Sequence, residues 1–171
     1  MKNEISTIFS NQEIRLTRLS EEKIELVRYW RNQKEIQQFM EYREYISEKM
    51  QRDWFRKINN ENNYYFILSV DNEDIGLMNI KNIDYQKKNG EKGSLIWNPK
   101  YRNKGIGKIA NVLLIKFAFE ELKLEYLYIH ILEGNIRSQM LNLKFGFELV
   151  KNQENIQNKL YILNKENFYK L

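Results

Sequence analysis

The amino-acid sequence predicts a mixed α+β fold in which helices pack on a mostly antiparallel sheet. Residues 14–19 alternate between apolar and polar side chains, which is typical of a half-buried strand. Residues 64–70 and 75–83 form two extended runs separated by the polar turn 71–74, as in a hairpin. Residues 109–119 carry apolar side chains at helical spacing. Strands and helices in this order indicate the α+β class.

Helices are predicted between the first strand and the hairpin. Ser20 stands where an N-cap belongs, and apolar side chains follow it at helical spacing as far as Asn32. A second helical pattern covers residues 35–40, and a third begins at Ser47. The apolar positions of the first and third patterns are Ile24, Val27, Trp30, Met50, Trp54 and Ile58. Two or three helices should therefore cluster before the main part of the sheet.

The remaining elements follow the hairpin. An Asn-Gly pair in residues 87–90 is the strongest short hairpin signal in the chain and makes the strand 94–97 part of an antiparallel meander. A strand at 125–132 follows the long helix, and this crossover should make it a parallel neighbour of 94–97. The last expected elements are a helix at 135–144, a closing strand pair at 147–150 and 160–163, and a short helical turn at 165–171.

Length and composition restrict the class of protein. The length of 171 residues and the hydrophobic fraction of 42% suit one domain that spans residues 1–171. A charged fraction of 30% and a single proline argue against a membrane span, a repeat array or a long disordered tail. No signal peptide is expected, because residues 1–11 are polar. The absence of cysteine excludes disulfides and thiolate metal sites, and it favours a reducing cytoplasm.

The formal net charge of +5 comes from 28 basic and 23 acidic residues that are scattered along the chain. Basic residues are dense only between positions 100 and 108, which contain four of them. Such a cluster suits the phosphates of a small ligand better than a duplex. Because no predicted helix carries a basic stripe, nucleic-acid binding is not expected.

Residues 101–108, with the sequence YRNKGIGK, open the long helix and are called the cradle below. The first backbone N–H groups of a helix have no intrahelical partners and carry the positive end of its dipole, so an anion fits there. Glycine lets the backbone approach a phosphate closely. The spacing differs from the G-x-G-x-x-G of dinucleotide folds and from the G-x-x-x-x-G-K-[ST] of nucleoside triphosphatases. The cradle is therefore predicted to bind a pyrophosphate.

The spacing R-x-x-G-x-G at residues 102–107, between a strand that stops at Asn98 and an amphipathic helix, resembles the acetyl-CoA signature of the GNAT family of N-acetyltransferases. The patterns N-x-x-S at 135–138 and KFGF at 144–147 resemble the next helix of that family and its turn into a strand. The resemblance covers the chain from about residue 14 to the end. It implies a metal-free N-acetyltransferase fold in which the strands on either side of the cradle helix splay apart and admit the pantetheine arm of acetyl-CoA.

The resemblance also implies which residues bind acetyl-CoA. Backbone groups of the strand before the cradle would pair with the pantetheine amides like an added strand. Asn135 can be explained simply as an N-cap, and the resemblance implies that its side chain also forms a hydrogen bond with the pantetheine arm. The implied set is Leu95, Ile96, Trp97, Arg102, Asn103, Lys104, Gly105, Ile106, Gly107, Lys108, Asn135 and Asn142.

Acetyl transfer to an amine needs a donor to the developing oxyanion and a group that removes the amine proton. By analogy with the family, the oxyanion donor is the backbone N–H near Trp97. The only histidine, His130, lies at a strand end where related sugar acetyltransferases carry a glutamate base, and it can serve as a base near neutral pH. In this strand Tyr126, Tyr128 and His130 share one face, and Leu127, Ile129 and Ile131 share the other. Glu133 is close enough in sequence to orient His130, but capping or solvent exposure is the better explanation of Glu133.

Two positions depart from the family pattern. Glu91 is the alternative base, but the usual glutamate position is Lys92, and a slip of one residue turns a side chain to the other face of a strand. Glu91 is therefore expected to be a solvated strand residue. Asn142 occupies the place of the usual tyrosine acid. An amide cannot protonate the departing thiolate, so the acid is left open and Asn142 is assigned a binding role.

The early helices and their connecting loop build the acceptor pocket in this family. Trp30 and Trp54 are core residues by their spacing, whereas Arg31 and Asn32 are harder to bury without a purpose. The Trp-Arg-Asn run and the nearby Phe-Met pair resemble the pseudaminic-acid-pathway acetyltransferases, which act on nucleotide-linked amino sugars. The implied substrate-binding residues are Trp30, Arg31, Asn32, Met40 and Tyr42.

The sequence thus predicts an acetyl-CoA-dependent N-acetyltransferase that acts on a nucleotide-linked amino-deoxy sugar destined for a surface glycan. Acetylation of a protein N-terminus, as in the ribosomal-protein-type enzymes, of a polyamine or of an aminoglycoside is an alternative. A non-catalytic acyl-CoA-binding sensor is an alternative from another class, and the missing tyrosine supports it. The expected partner is a small-molecule amine, not nucleic acid or a membrane, and exposed aromatic residues would permit a homodimer.

Overall fold

The computed structural model describes residues 4–40, 42–154 and 156–170, which form one eight-stranded sheet and six α-helices. The strands are β1 (Glu4–Phe9), β2 (Gln12–Arg18), β3 (Tyr64–Val70), β4 (Glu73–Asp84), β5 (Asn89–Ile96), β6 (Tyr126–Leu132), β7 (Glu148–Leu149) and β8 (Asn158–Asn164). The helices are α1 (Ile24–Arg31), α2 (Lys34–Gln37), α3 (Glu48–Ile58), α4 (Ile106–Lys116), α5 (Ile136–Leu143) and α6 (Lys165–Tyr169).

The strands lie side by side in the order β1-β2-β3-β4-β5-β6-β8-β7. Neighbouring strands are antiparallel, except for the parallel pair β5 and β6. The predicted mixed fold and the parallel pair on either side of the cradle helix are therefore confirmed. Within the described ranges, no helix is long and apolar enough to cross a membrane.

The two faces of the sheet carry separate hydrophobic cores. The larger core lies on the face covered by α4 and by the π-helical turn Phe117–Glu121, and it includes Phe66, Leu114 and Leu127. The smaller core lies on the opposite face beneath α1 and α3 and includes Trp30, Phe55, Tyr65, Ile67 and Leu77. Residues that alternate along β3 thus face opposite cores, as the geometry of a strand requires.

The helices on the smaller core follow the predicted pattern with one exception. Ile24, Val27 and Trp30 of α1 are buried as expected. In α3 the buried residues are Gln51 and Phe55, whereas Met50, which was expected on the apolar face, is 42% exposed. The Nε2 atom of the buried Gln51 donates a hydrogen bond of 2.8 Å to the backbone oxygen of Ile24, which offsets part of the cost of burying this amide.

The strand β1 was not predicted. Residues 4–9 pair with β2 along their whole length, although they belong to the segment 1–11, for which the sequence indicated only a polar character. Ile5 and Phe9 pack against the larger core, while Ile8 is exposed. A strand at the sheet edge needs few apolar residues, because it contributes only part of one face to the core.

The expected Asn-Gly turn is wrong. The turn before β5 covers residues 85–88, and Asn89 and Gly90 are already the first residues of the strand. The Asp84 carboxylate makes this turn by accepting hydrogen bonds from the backbone N–H groups of Gln86 and Lys87. Glycine at position 90 avoids crowding, because a Cβ atom there would lie 3.0 Å from the side chain of Ile80.

An opening between β5 and β6 follows from their short pairing. The described residues contain three β5–β6 pairs, namely Asn89 with Tyr126, Gly90 with Leu127 and Glu91 with Tyr128. From Lys92 onward the two strands part, although both continue for several residues. The predicted splay of this pair is thus confirmed, and its apex lies at Lys92.

Candidate active site

The cradle lies at the mouth of the opening, directly before α4. Asn103 and Gly105 have φ angles of 62° and 81°, so the chain turns tightly in the left-handed region before the helix begins. In the described part of the chain, the backbone N–H groups from Asn103 to Gly107 have no hydrogen-bond acceptor. A row of unpaired donors at a helix N-terminus fits the pyrophosphate of acetyl-CoA.

Gly105 has a neighbour that explains why it carries no side chain. A Cβ atom at Gly105 would lie 3.1 Å from Cζ of Phe9 on β1. Its positive φ angle would also strain any other residue. Lys104 and Lys108 are exposed beside this turn, where their charges are available to phosphate oxygens.

Arg102 was expected to contact the cofactor, but its side chain holds the end of β5. Its Nε atom lies 3.2 Å from the backbone oxygen of Ile96, and its Nη2 atom lies 2.9 Å from that of Trp97. The guanidinium thereby fixes the cradle to the strand that borders the opening. The side chain of Arg102 is a positioning group in this arrangement.

The hydrogen bonds between β5 and β4 contradict two of the expected contacts. The N–H group of Trp97 donates a 3.0 Å hydrogen bond to the oxygen of Ile75, so it is not available as an oxyanion donor. Alternate residues of an antiparallel strand point their backbone groups to opposite edges. Leu95 therefore also points toward β4, whereas Ser94 and Ile96 point toward the opening. Of the three predicted residues, only Ile96 points its backbone toward the opening. Its oxygen already accepts from Nε of Arg102, so its N–H group is the one left for a bound arm.

His130 and Glu91 are brought together by the parallel pair. Nδ1 of His130 lies 3.3 Å from a carboxylate oxygen of Glu91. Glu91 also accepts a 2.9 Å hydrogen bond from the Asn82 side chain and lies 3.4 Å from the ammonium group of Lys81. Its side chain is only 14% exposed. The expectation of a solvated Glu91 is wrong, because three polar neighbours hold this carboxylate.

The faces of β6 are as predicted, and Glu133 is solvent-exposed, as expected for a residue that does not orient His130. Leu127, Ile129 and Ile131 are buried, whereas His130 lies on the other face, with its side chain 39% exposed. Glu133 instead lies 3.8 Å from the ammonium group of Lys159. Proximity in sequence suggested Glu133, whereas the pairing register of β5 with β6 selects Glu91.

Lys92 is a site residue that sequence reasoning missed. It is 1% exposed, and its Nζ atom donates a 2.9 Å hydrogen bond to Oδ1 of Asn142, which is equally buried. The rings of Phe145 and Phe147 lie 6.0 and 5.6 Å from the same nitrogen. Burial lowers the pKa of Lys92 to about 7. The signal in the sequence was the coincidence of two departures from the family pattern, Lys92 and Asn142.

The two asparagines of α5 are occupied within the protein. Asn135 is the N-cap, because its side-chain oxygen accepts a hydrogen bond from the N–H group of Ser138. Asn142 donates a 2.8 Å hydrogen bond to the oxygen of Ser138 and accepts the one from Lys92. Asn142 therefore orients Lys92.

On the acceptor side, two predicted substrate contacts are structural. Trp30 is fully buried and stacks on Trp97 with 6.2 Å between ring centroids, so its ring cannot touch a substrate. Asn32 donates to the backbone oxygen of Ile46 and accepts from its N–H group, both at 2.9 Å. Its amide fixes the loop between α2 and α3.

Arg31 remains a candidate for substrate binding. Its guanidinium lies 5.7 Å from the ring centroid of Trp54, and its buried Nε atom has no acceptor among the described residues. Burial lowers the pKa of Arg31, while the phenols of Tyr65 and Tyr42 partly offset this effect. Tyr42 is 43% exposed, and Met40 is half-buried beside it in sequence.

Tyr65 connects the acceptor side with the base. Burial raises the pKa of Tyr65 to about 12, which Arg31 opposes and Glu91 reinforces. Its phenol thus interacts electrostatically with both Arg31 and Glu91. A charged site and a proton-accepting site are therefore neighbours on the face of the sheet that α1 and α3 cover.

Comparison with known proteins agrees with this geometry. The family model for the acetyltransferase (GNAT) domain matches residues 13–148. Acetyltransferase PseH of Campylobacter jejuni is 32% identical over 126 residues, which cover 73% of this chain and 76% of the relative.

Solved structures share the fold at lower identity. Spermidine N-acetyltransferase from Vibrio cholerae, solved in complex with CoA and spermine, superposes with a TM-score of 0.81 at 19% identity and covers 91% of this chain and 98% of its own. FdhC, described as a nucleotide-linked sugar GNAT and solved in the apo state, has a TM-score of 0.77 at 23% identity and covers 92% of this chain and 89% of its own.

Proposed function

Because the chain belongs to the GNAT acetyltransferase family and is an acetyl-CoA-dependent N-acetyltransferase, we propose that its acceptor is the amine of a nucleotide-linked amino-deoxy sugar used in surface glycan biosynthesis. The observation that carries this proposal is the half-buried guanidinium of Arg31, which has no anionic partner among the described residues. FdhC, which shares the fold and is described as a nucleotide-linked sugar GNAT, agrees with this acceptor class, and the relative PseH is an acetyltransferase. The proposal further includes one catalytic domain over residues 1–171 and a cytoplasmic location.

Acetyl-CoA would be held by the cradle and by β5. The N–H groups from Asn103 to Gly107 would bind its pyrophosphate, with Lys104 and Lys108 beside them, and the backbone of Ile96 would pair with its arm. When bound, acetyl-CoA supplies an activated acetyl group as a thioester. No three acidic, histidine or cysteine side chains of the described chain gather into a metal site.

In this proposal His130 is the general base. Glu91 contacts Nδ1, which leaves Nε2 as the ring nitrogen that takes the proton from the acceptor amine. Lys81 and Asn82 hold the carboxylate in place, so the imidazole keeps one tautomer and one orientation. A general base contributes about 10²–10⁴-fold in rate.

The positive charge of Arg31 indicates which class of acceptor the site favours. Removing a guanidinium from water without a counter-ion costs free energy, and an anionic group of the substrate would recover part of it. The planar guanidinium suits the oxygens of a diphosphate, and it makes a cation–π contact with the ring of Trp54. A cationic polyamine would meet repulsion at the same place. Arg31 therefore supports an acceptor with a diphosphate.

The test is thiol release from acetyl-CoA with a panel of amines. The panel contains UDP- and dTDP-linked amino sugars, spermidine, an aminoglycoside and a peptide with a free N-terminus. Turnover with a nucleotide-linked sugar, and a higher KM for it in Arg31→Met, is expected. Turnover with spermidine alone would assign a polyamine acceptor, and binding of acetyl-CoA without any turnover across the panel would favour the sensor.

A further inference from the structure

Acetyl transfer releases a thiolate, and the residue at the usual acid position, Asn142, has no proton to give. The question is which group beside the opening could supply one. Lys92 is the first residue of β5 beyond its last pair with β6, so it stands at the apex of the opening. It is also buried and lies on the face opposite to the His130 and Glu91 pair.

The position of Lys92 along β5 suits the far end of the acetyl-CoA arm. A Cβ atom at Gly107 would lie 3.1 Å from the Ile96 side chain, so the cradle adjoins that end of β5. From Ile96 to Lys92 the strand runs about 13 Å, at about 3.3 Å per residue. An arm with two amide groups that follows the strand from the cradle is comparable in length and ends near the apex.

The hydrogen bonding of Lys92 is incomplete. An ammonium group has three protons to donate, and Nζ has one acceptor among the described residues, the side-chain oxygen of Asn142. The surroundings are otherwise the rings of Phe145 and Phe147 and the apolar core. A further acceptor that carries negative charge would satisfy the group in its charged form.

We propose that Lys92, oriented by Asn142, protonates the sulfur that leaves when the acetyl group is transferred. The acetyl carbon bonds to the acceptor nitrogen, the carbon–sulfur bond breaks, and the sulfur keeps the electron pair. Lys92 gives one proton to that sulfur and becomes a neutral amine, while the proton of the acceptor nitrogen passes to His130. Between turnovers His130 loses its proton to water and Lys92 takes one up.

The protonation behaviour of Lys92 agrees with this role. Burial is the cause that lowers its pKa to about 7, and no titratable group of β4, β6 or α5 adds to the shift. A lysine with its ordinary pKa would hold its proton too tightly at neutral pH. The efficiency of an acid catalyst is greatest when its pKa lies near the working pH.

The first test uses free CoA and needs no acceptor, so it is independent of the proposed sugar. The ultraviolet absorbance of the thiolate is followed as pH rises, with CoA bound to the wild type, to Lys92→Gln and to the control Lys144→Gln. Glutamine can still donate to Asn142 but carries no charge, and Lys144 is exposed two residues beyond Asn142. The bound thiol should ionise at a pH about one unit lower in the wild type and the control than in Lys92→Gln.

Affinity supplies the second readout. In calorimetry CoA should bind the wild type several-fold more tightly than desulfo-CoA near pH 8, and this preference should vanish in Lys92→Gln. Turnover of that variant should fall by about 10²-fold or more. If Lys92→Gln does not fold, Lys92→Met serves in its place. Equal ionisation of bound CoA in the wild type and the Lys92 variant would overturn the proposal while leaving the acceptor assignment untouched.

Discussion

Glu91 and His130 lie on neighbouring parallel strands, with 3.3 Å between the carboxylate and Nδ1 of the imidazole. The contact depends on register, because Glu91 pairs with Tyr128 and the strands part immediately afterward. His130 thus stands at the edge of the opening with Nε2 free of any partner in the described chain. An imidazole held in this way is prepared to accept a proton from one direction.

The first prediction concerns this pair. His130→Ala should lower kcat/KM at neutral pH by at least about tenfold, because the amine proton then has no base. Glu91→Leu should cost a similar factor by releasing the ring, whereas Glu91→Gln can still accept a hydrogen bond and should cost less. Initial rates of thiol release across the pH range check these values, together with NMR of the His130 tautomer.

Glu133→Gln is the matched control for the base. Glu133 lies three residues from His130 in sequence but interacts with Lys159, so its loss should leave turnover and the His130 tautomer unchanged. A His130→Ala enzyme with wild-type turnover would instead leave proton removal to water or to Glu91.

The second prediction concerns the cradle. Gly105→Val should weaken acetyl-CoA binding by at least about tenfold, because a side chain at a φ angle of 81° strains the turn and meets Phe9. Gly134→Ala is the control, since a Cβ atom there has open space. Calorimetry with folded protein measures both. Wild-type affinity in Gly105→Val would contradict the cradle as the pyrophosphate site.

The third prediction separates acceptor binding from cofactor binding. Arg31→Met should raise the KM for a nucleotide-linked sugar by about tenfold or more, as expected for a lost charge-assisted contact, and leave the KM for acetyl-CoA unchanged. Arg56→Met on the exposed surface of α3 is the control, because that guanidinium is 74% exposed. A similar loss in both variants would mean that net charge, rather than the site beside Trp54, attracts the acceptor.

The fourth prediction is a pH dependence of stability. Because burial lowers the pKa of Lys92 to about 7, the unfolded chain binds more protons than the native protein between pH 7 and 10. The free energy of unfolding of the wild type relative to Lys92→Met should therefore rise with pH in this window, by on the order of 4 kcal/mol. Urea unfolding at several pH values measures the difference. A difference that stays flat would show that folding leaves the pKa of Lys92 unchanged, and one that falls with pH would show that folding raises it.

The sequence was sufficient for the features that depend on local patterns. Alternating residues placed Leu127 and His130 on opposite faces of β6, and the glycine spacing predicted the tight turn that opens α4. The strand β1 was not predicted, because an edge strand with one half-buried face has the composition of a polar segment. The Asn-Gly pair led to a wrong turn prediction because Gly90 serves close packing rather than a turn. A Cβ atom there would lie 3.0 Å from the side chain of Ile80 and 3.2 Å from that of Leu124, and neither contact is visible in the local sequence.

The functional site depended on pairing that no local pattern contains. Glu91 reaches His130 only because β5 and β6 are parallel in a particular register. The N–H group of Trp97 donates to the backbone oxygen of Ile75 on β4, so the backbone N–H group that faces the opening belongs to Ile96, one residue earlier. Lys92 and Asn142 each depart from the family pattern, but their hydrogen bond can be recognised only when the packing of α5 against the sheet is known.

Phe9 behind Gly105 couples the outermost strand to the proposed pyrophosphate site. The strand β1 pairs with β2 alone, and edge elements open before the rest of a fold. When β1 separates from β2, the cradle loses its contact with Phe9 and its affinity for the coenzyme should fall. By linkage, bound coenzyme must protect the amide hydrogens of β1 from exchange, although β1 need not touch it.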